Sequence, residues 1–186
     1  MREVDRIHDE LLALKEIILK AESPSDLNAF ETLAAKTLLL SSASYFERQI
    51  CEGIEQAARS GGTSEALIQF ILKHGLERKY HQLFNWKQNN INGFLGLFGD
   101  DAKKTMDDEI RADESLTQAT KDFMSIGSQR NELVHNNFAS FALVSDMAEI
   151  WTKYLSAKRF SDWLPLKLSE FTESKVGRDD RSAQES

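Results

Sequence analysis

Apolar residues recur at steps of three and four along most of the chain, the spacing that places side chains on one side of an α-helix. The first 21 residues carry Val4, Ile7, Leu11, Leu14 and Ile18 in this register, with charged residues between them. Alternating runs of β-branched residues, which would indicate strands, do not occur. The pattern therefore predicts an all-α protein that begins with an amphipathic helix.

Turn-forming residues mark the ends of a long second helix. Ser23 fits the N-cap, Pro24 fits the first helical position, and the glycines at 61 and 62 stop the helix after about Arg59. Its segment LLLSSASYFERQI begins with apolar or small residues on all sides. We therefore predict that this helix lies at the buried centre of a bundle.

Further helices are predicted around one irregular segment. A third helix follows Thr63 and ends near Gly75, and a later helix is capped by Asp113. Between them, FNWKQNNINGFLGLFGDD contains aromatic residues and glycines without a regular period. This segment predicts a short helix and a loop packed by its own side chains, followed by a helix from about Asp101. The spacing after HNNF predicts one more helix from near Ser140.

The composition is that of one soluble domain. A chain of 186 residues that is 41% apolar is long enough to bury a core. We expect residues 1–172 to form this domain and the polar residues 173–186 to be a disordered tail. A single cysteine, Cys51, cannot form an internal disulfide, and no apolar run approaches the ~20 residues that span a bilayer. No apolar signal core follows Met1, so these features favour a cytoplasmic protein.

The charge balance limits the way in which this protein binds nucleic acid. Its net charge of −7 counts against non-specific binding to long nucleic acids, which requires many Lys and Arg residues against phosphates. An enzyme that binds a few nucleotides at one basic site is compatible with this charge. Any chemistry on RNA is therefore expected to have a small footprint.

The segment IGSQRNELVHNNF, residues 126–138, places Arg130 and His135 five positions apart at the end of a predicted helix. Ordinary helix termination is one interpretation, because His and Asn are common at helix C-termini. On a straight helix, Arg130 and His135 would differ by roughly 140° in direction, whereas Asn131 and His135 would differ by about 40°. Asn131 is thus expected to orient the His135 ring. Arg130 and His135 can serve one site if the helix ends or bends between them, or if a second copy completes the site.

These residue types suit cleavage of RNA by its own 2′-hydroxyl. That reaction takes one proton, gives another and stabilises a crowded anionic phosphate. Histidine transfers protons near neutral pH, and the guanidinium of arginine binds phosphate oxygens bidentately. No metal or cofactor is expected, since the histidines at 8, 74 and 81 do not lie at ligand spacing with a cysteine or carboxylate cluster.

Two segments resemble one known family. RNELVH resembles the R-x4-H motif of the HEPN superfamily, and ASYFERQI at 43–50 is similar to the Tyr-x-Glu-Arg segment of its RiboL-PSP-type branch. The likeness covers roughly residues 30–155 and implies an all-α HEPN-like bundle, often a metal-independent ribonuclease. It implies that Arg130 contacts the scissile phosphate and that His135 is the acid/base. Asn131 would then support the geometry, and Glu47 would be the polar partner from the upstream helix.

Two further residues are weaker candidates for substrate binding. Arg48 either faces phosphate or, with similar weight, belongs to a structural ion pair with Glu47's neighbours in a segment otherwise suited to burial. Asn136 follows His135 where the family often has a glycine, and asparagine is the best substitute for glycine in a left-handed backbone. The aromatic residues Trp86 and Trp151 are more consistent with the core than with stacking on bases.

The resemblance predicts a homodimeric endoribonuclease that cleaves single-stranded RNA or a tRNA loop and leaves a 2′,3′-cyclic phosphate. A dimer follows if each chain offers one suitable histidine and the reaction needs two proton-transfer groups. Family members commonly act as toxins or antiviral effectors, so an antitoxin or regulatory protein would be on another chain, and no membrane is involved. The alternative is a non-catalytic HEPN-like dimerisation or binding module.

Overall fold

The computed structural model describes residues 3–77, 79–88 and 90–182, with side chains described as far as 171. Within these ranges every regular element is helical, as predicted. The helices are α1 (Glu3–Lys20), α2 (Pro24–Ser60), α3 (Glu65–Phe70), α4 (Tyr80–Leu83), α5 (Asn92–Leu95), α6 (Asp100–Ala112), α7 (Glu114–His135) and α8 (Met147–Ser182). A π-helical turn, Ile71–Leu76, extends α3, and a 3₁₀ turn, Gly96–Phe98, extends α5.

The core lies between α1, α2, α7 and α8, with the most extensive contact between α2 and α8. The predicted central position of α2 is confirmed, since Leu38, Leu39 and Ile50 are fully buried on it. Close approach of α2 and α8 depends on Gly53, where an added Cβ would lie 2.5 Å from Cγ of Pro165. Pro165 lies inside α8, so its ring packs directly on the α2 backbone.

The predicted boundaries of α1, α2 and α7 are confirmed within one or two residues. At the start of α7, the side chain of Asp113 accepts a hydrogen bond from the backbone N–H of Leu116 at 3.0 Å, which satisfies one of the free amides of the first turn. Arg159 on α8 also pairs with Asp113, so the cap ties two core helices together.

The predicted helix from Ser140 is wrong, because residues 136–146 are not helical and α8 begins at Met147. The carbonyl of Asn137 accepts the N–H groups of Ser140 and Phe141, at 3.1 and 2.8 Å, which closes a turn instead. Asp146 then caps α8 by accepting from the backbone N–H of Glu149 at 2.8 Å. An apolar spacing without a cap therefore did not start a helix.

The polar end of the chain also differs from the expectation. Helix α8 is described as far as Ser182, so residues 173–182 of the expected disordered tail are helical. These residues include one Glu, one Lys and two Arg, which are good helix formers, and α8 continues through them beyond its apolar part. Residues 183–186 lie outside the described residues.

The irregular middle is packed by its own aromatic side chains, as predicted. Phe84 stacks on Phe94 with ring centroids 4.4 Å apart, and Trp86 lies against Phe84 at 4.8 Å. Trp86 also presses on α7 at Gly127, where an added Cβ would lie only 1.8 Å from the indole ring. This cluster holds α4 against α7, close to the R-x4-H segment.

Candidate functional site

Arg130 lies at the open end of the buried side of α7. Phe123, Ile126 and Gly127 are buried on that side, and Arg130, one turn later, is partly exposed. Its Nη1 donates to the side-chain oxygen of Asn131 at 3.2 Å. In the part of the chain that the structure describes, Arg130 forms no ion pair with a carboxylate, so most of its guanidinium donors remain available to a phosphate.

His135 is the last residue of α7, and its side chain is exposed. The helix is unbroken between Arg130 and His135. An end or a bend between the two residues was one condition for their sharing a site, and this condition is not met. The two side chains leave the helix in different directions, separated by roughly 140°.

The two asparagines have roles that differ from the sequence expectations. Asn131 accepts from Arg130, and the described contacts include no hydrogen bond from Asn131 to His135. Asn136 has an extended backbone, with φ −102° and ψ 172°, rather than a left-handed one. Its Nδ2 donates to the carbonyl of Glu132 at 2.7 Å, so this carbonyl in the last turn of α7 has a hydrogen-bond donor. Asn131 thus positions the guanidinium, whereas Asn136 caps the helix.

The structure brings His81 to this site, a residue that the sequence analysis did not select. Its Nε2 lies 3.6 Å from Oε2 of Glu47, which links α4 to α2. His81 and Arg130 line the same narrow cleft, whose floor includes Phe46, Phe123 and other buried side chains. No sequence signal identified His81, because it lies outside the predicted helices, just before the segment without a regular period, and far from the R-x4-H motif.

Burial and the charged neighbours both act on the imidazole of His81. Burial lowers the pKa of His81, the positive charge of Arg130 lowers it further, Glu47 opposes the shift, and His135 lowers the pKa as well. Tyr80, which packs edge-on against His81 at 5.2 Å, is buried, and its pKa is raised first by burial and then by Glu47. Both ends of the R-x4-H segment therefore act on the same imidazole.

Arg48 does not join this group. Its guanidinium Nη1 lies 3.3 Å from Oε2 of Glu3 on α1. Successive helix positions differ by about 100° in direction, so Glu47 can face α4 while Arg48 faces α1. The structural interpretation of Arg48 is therefore the one that the contacts favour.

A larger cavity adjoins the site on the side of Asn131. Its volume is about 710 Å³, and it is open to solvent. The aromatic side chains of Phe84 and Trp86 line one part, and Lys79 and Lys87 add positive charge. Such a combination of aromatic surface and cations suits a nucleotide.

The described residues contain no group of three or more His, Cys, Asp or Glu side chains arranged to hold a metal ion. Over the same residues, none of the helices has the length and apolar character needed to cross a membrane.

Comparison with known proteins gives one match. The family model described as RiboL-PSP-HEPN matches residues 3–165, which is most of the chain. No curated protein and no solved structure matches it.

Proposed function

Because the chain belongs to the RiboL-PSP-HEPN family, as the two resembling segments predicted, we propose that it is a metal-independent endoribonuclease. The observation that carries the proposal is that Arg130, which forms no ion pair among the described residues, lines one cleft with His81, whose imidazole lies 3.6 Å from the Glu47 carboxylate. His135, at the exposed end of the helix that carries Arg130, adds a second imidazole. Together they supply the proton transfers and the phosphate contact that cleavage by a 2′-hydroxyl requires.

Arg130 is the phosphate-binding residue in this proposal. Its two terminal nitrogens can donate to two non-bridging oxygens, and the positive charge stabilises the phosphorane-like transition state. Asn131 holds the guanidinium by accepting one N–H, and is a positioning residue. His135 transfers a proton at the reacting oxygens, and its exposure permits access by a polynucleotide.

We propose that the substrate is single-stranded RNA or a tRNA loop. The cavity of about 710 Å³ beside Asn131 has room for a nucleotide adjacent to the cleaved bond. A base can stack there against Trp86, and the lysines at its edge favour the flanking phosphates. With a net charge of −7, the protein has few other surfaces for RNA, so the contact is short.

The proposal retains a homodimer and a role as a toxin or antiviral effector controlled by a protein on another chain. Val134 and Phe138, each 44% exposed, flank His135, and a second copy would cover this apolar surface. Light scattering after gel filtration should give twice the chain mass of 21.1 kDa. A monomeric protein with full cleavage activity would remove the dimer from the proposal.

The direct test is cleavage of end-labelled single-stranded RNA by the purified protein in the presence of a chelator. We expect cleavage with 2′,3′-cyclic phosphate ends. Arg130→Ala and His135→Ala should each lower the rate by ~10²-fold or more, since each removes a group that acts in the transition state.

Two matched controls remove the same side-chain types elsewhere. Arg111 is a surface arginine paired with Asp107 on α6, and His8 stacks on Trp151 in the core. Arg111→Ala and His8→Asn should therefore retain cleavage. Loss of activity in the chelator, with restoration by added metal, would contradict the proposal. Equal activity in the Arg130→Ala protein would indicate a contaminating nuclease.

The second candidate is a non-catalytic HEPN-like dimerisation or binding module. The acidic net charge of −7 favours it, because an extended contact with RNA requires many Lys and Arg residues against phosphates. A folded dimer that binds nucleotides or a partner protein but cleaves no RNA would support this candidate.

A further inference from the structure

We propose that His81 is the general base of this reaction, which removes the proton from the attacking 2′-hydroxyl while His135 protonates the leaving 5′-oxygen. This inference rests on the proposed ribonuclease activity and adds a catalytic residue to it. The R-x4-H segment by itself provides one imidazole per chain. His81 provides the second from α4 of the same chain.

The orientation of the ring supports this role. Nε2 faces the Glu47 carboxylate at 3.6 Å, which favours the tautomer with its proton on Nε2. Nδ1 then carries the lone pair, and none of the described residues forms a hydrogen bond with it. Glu47 therefore acts through His81 as a positioning residue, rather than on the substrate itself.

The backbone of His81 is fixed as well. Its carbonyl accepts a hydrogen bond from Nε1 of Trp86 at 2.9 Å, and Trp86 is wedged against Gly127 on α7. Tyr80 packs edge-on against the imidazole at 5.2 Å. A base held on three sides loses little freedom when the substrate binds, which favours catalysis by proximity.

Arg130 sets the position of the substrate relative to His81. The two side chains line one small cleft of about 10 Å³, and both are partly exposed at its edge. A phosphate bound by Arg130 from the solvent side therefore brings the neighbouring ribose towards the imidazole. Among the described residues, the charged and titratable groups that act on His81 are Glu47 from α2 and Arg130 and His135 from α7, and Tyr80 lies beside it on α4. Burial and Arg130 keep its pKa below the ordinary 6.5, so the ring is neutral at neutral pH. A general base must be in that form.

The chemical step balances within these groups. The 2′-hydroxyl proton passes to Nδ1 of His81, and the oxygen lone pair forms the bond to phosphorus. The bond from phosphorus to the 5′-oxygen breaks, and its electron pair takes a proton from the His135 imidazolium. The products are the 2′,3′-cyclic phosphate and a 5′-hydroxyl, with His81 protonated and His135 neutral until solvent restores both.

Two substrates distinguish the roles of the two histidines. A normal linkage needs an acid at the 5′-oxygen, whereas a 5′-thio linkage has a leaving group that departs without protonation. We expect His81→Asn to lower cleavage of both substrates by ~10²-fold or more. His135→Ala should be severely impaired on the normal linkage and largely restored on the 5′-thio linkage. His8→Asn controls for loss of an imidazole, and His81→Gln provides a second variant if the first does not fold by circular dichroism.

The pH dependence gives an independent readout through Glu47. The wild-type rate should fall at acidic pH as His81 becomes protonated, at a pH below 6.5 because the pKa is lowered. Glu47 opposes this lowering, so Glu47→Gln should move the acidic limb to still lower pH. A purely structural role for Glu47 would reduce the rate without moving the limb.

The possible failures are distinguishable. If the wild-type protein cleaves RNA and both His81 variants keep its rate and its acidic limb, the inference is wrong and the proposed function stands. If the 5′-thio linkage restores activity to His81→Asn, His81 is an acid and the assigned role is wrong. If the folded wild-type protein cleaves neither substrate, the proposed function and this inference fail together.

Discussion

A single methyl group at position 127 tests whether the contact between α4 and α7 is as tight as the structure indicates. In Gly127→Ala, the new Cβ would lie 1.8 Å from Cζ3 of Trp86 and 2.3 Å from Cε3. Atoms do not approach so closely, so the indole ring has to move. Its Nε1 hydrogen bond to the carbonyl of His81 would lengthen or break.

The net effect is a balance of three contributions. Alanine in place of glycine inside a helix gains about 1 kcal/mol. Overpacking of a filled core costs about 1–3 kcal/mol, and loss of the indole hydrogen bond costs a further ~1 kcal/mol. We therefore expect a net destabilisation of about 1–3 kcal/mol, although alanine is the better helix former. For a chain of this size the melting temperature should fall by roughly 2–12 °C.

Thermal and urea unfolding measure this effect, and the relevant control is another glycine. Gly96 has φ −62° and ψ −20°, and an added Cβ there meets nothing within 4 Å. Gly96→Ala should be neutral or stabilising by up to ~1 kcal/mol. In a Trp86→Ala background, Gly127→Ala should no longer lower the free energy of unfolding, because the clashing ring is absent. Cleavage by Gly127→Ala should be reduced at temperatures where it is folded, since His81 is displaced.

Two results would refute this reasoning. A more stable Gly127→Ala protein would mean that Trp86 is not fixed against α7. An equal cost in the wild-type and Trp86→Ala backgrounds would mean that the two positions are not coupled, because a double-mutant cycle isolates their interaction.

Two further predictions concern titrating groups. Burial, reinforced by Glu47 and then Glu52, raises the pKa of Cys51 from 9.0 to about 11. Alkylation by iodoacetamide near neutral pH should therefore be about 100-fold slower than for a free thiol, and unfolding in urea should restore the ordinary rate. A rate in the folded protein within threefold of the free thiol would contradict this. Hydrogen bonds from Ser115, the Leu116 amide and Arg159 lower the pKa of Asp113 from 3.8 to about 2. Because the pKa of Asp113 is lower in the folded protein, this stabilisation is present above about pH 4 and is lost towards pH 2. The difference in melting temperature between wild type and Asp113→Asn should therefore disappear over that range. A difference that stays constant with pH would mean that the Asp113 carboxylate is not stabilised by these hydrogen bonds.

The sequence predicted those parts of the fold that local chemistry determines. Pro24, Gly61 and Asp113 are terminal residues whose own backbone or side-chain properties start or stop a helix. Apolar spacing alone was less reliable. The residues before Met147 have helical spacing, but Asp146 provides the cap, and the helix begins after it.

Apolar spacing also does not fix the register at the end of α7. Val134 is 44% exposed there, whereas Leu133 is fully buried. Since the helix turns 100° per residue, both positions are compatible with the earlier apolar residues of the helix. Only contacts with α2 and α8, which are not local, decide between them.

The candidate site was predictable only where its residues are close together in sequence. Arg130, Asn131 and His135 share one helix, and Glu47 was found through its resemblance to a family segment. His81 lies on α4, a four-residue helix just before the aperiodic segment, and it reaches the site because Trp86 packs on Gly127. That packing is tertiary, and no spacing in the sequence encodes it.

The position of His81 bears on whether one chain or two form the active site. With one histidine per chain, two copies would have to share a site. The structure places His81 and Arg130 in the lining of one cleft within one chain, whereas His135 leaves α7 about 140° away from Arg130. We therefore expect a second copy to bring its own His135 to this cleft. Mixing inactive Arg130→Ala and His135→Ala chains under conditions that exchange subunits tests this. A site that takes its arginine from one chain and its histidine from the other would recover about one quarter of wild-type activity, because half of the dimers are mixed and each of these has one intact site. We expect that recovery, and a site contained in one chain, which recovers none, would contradict it.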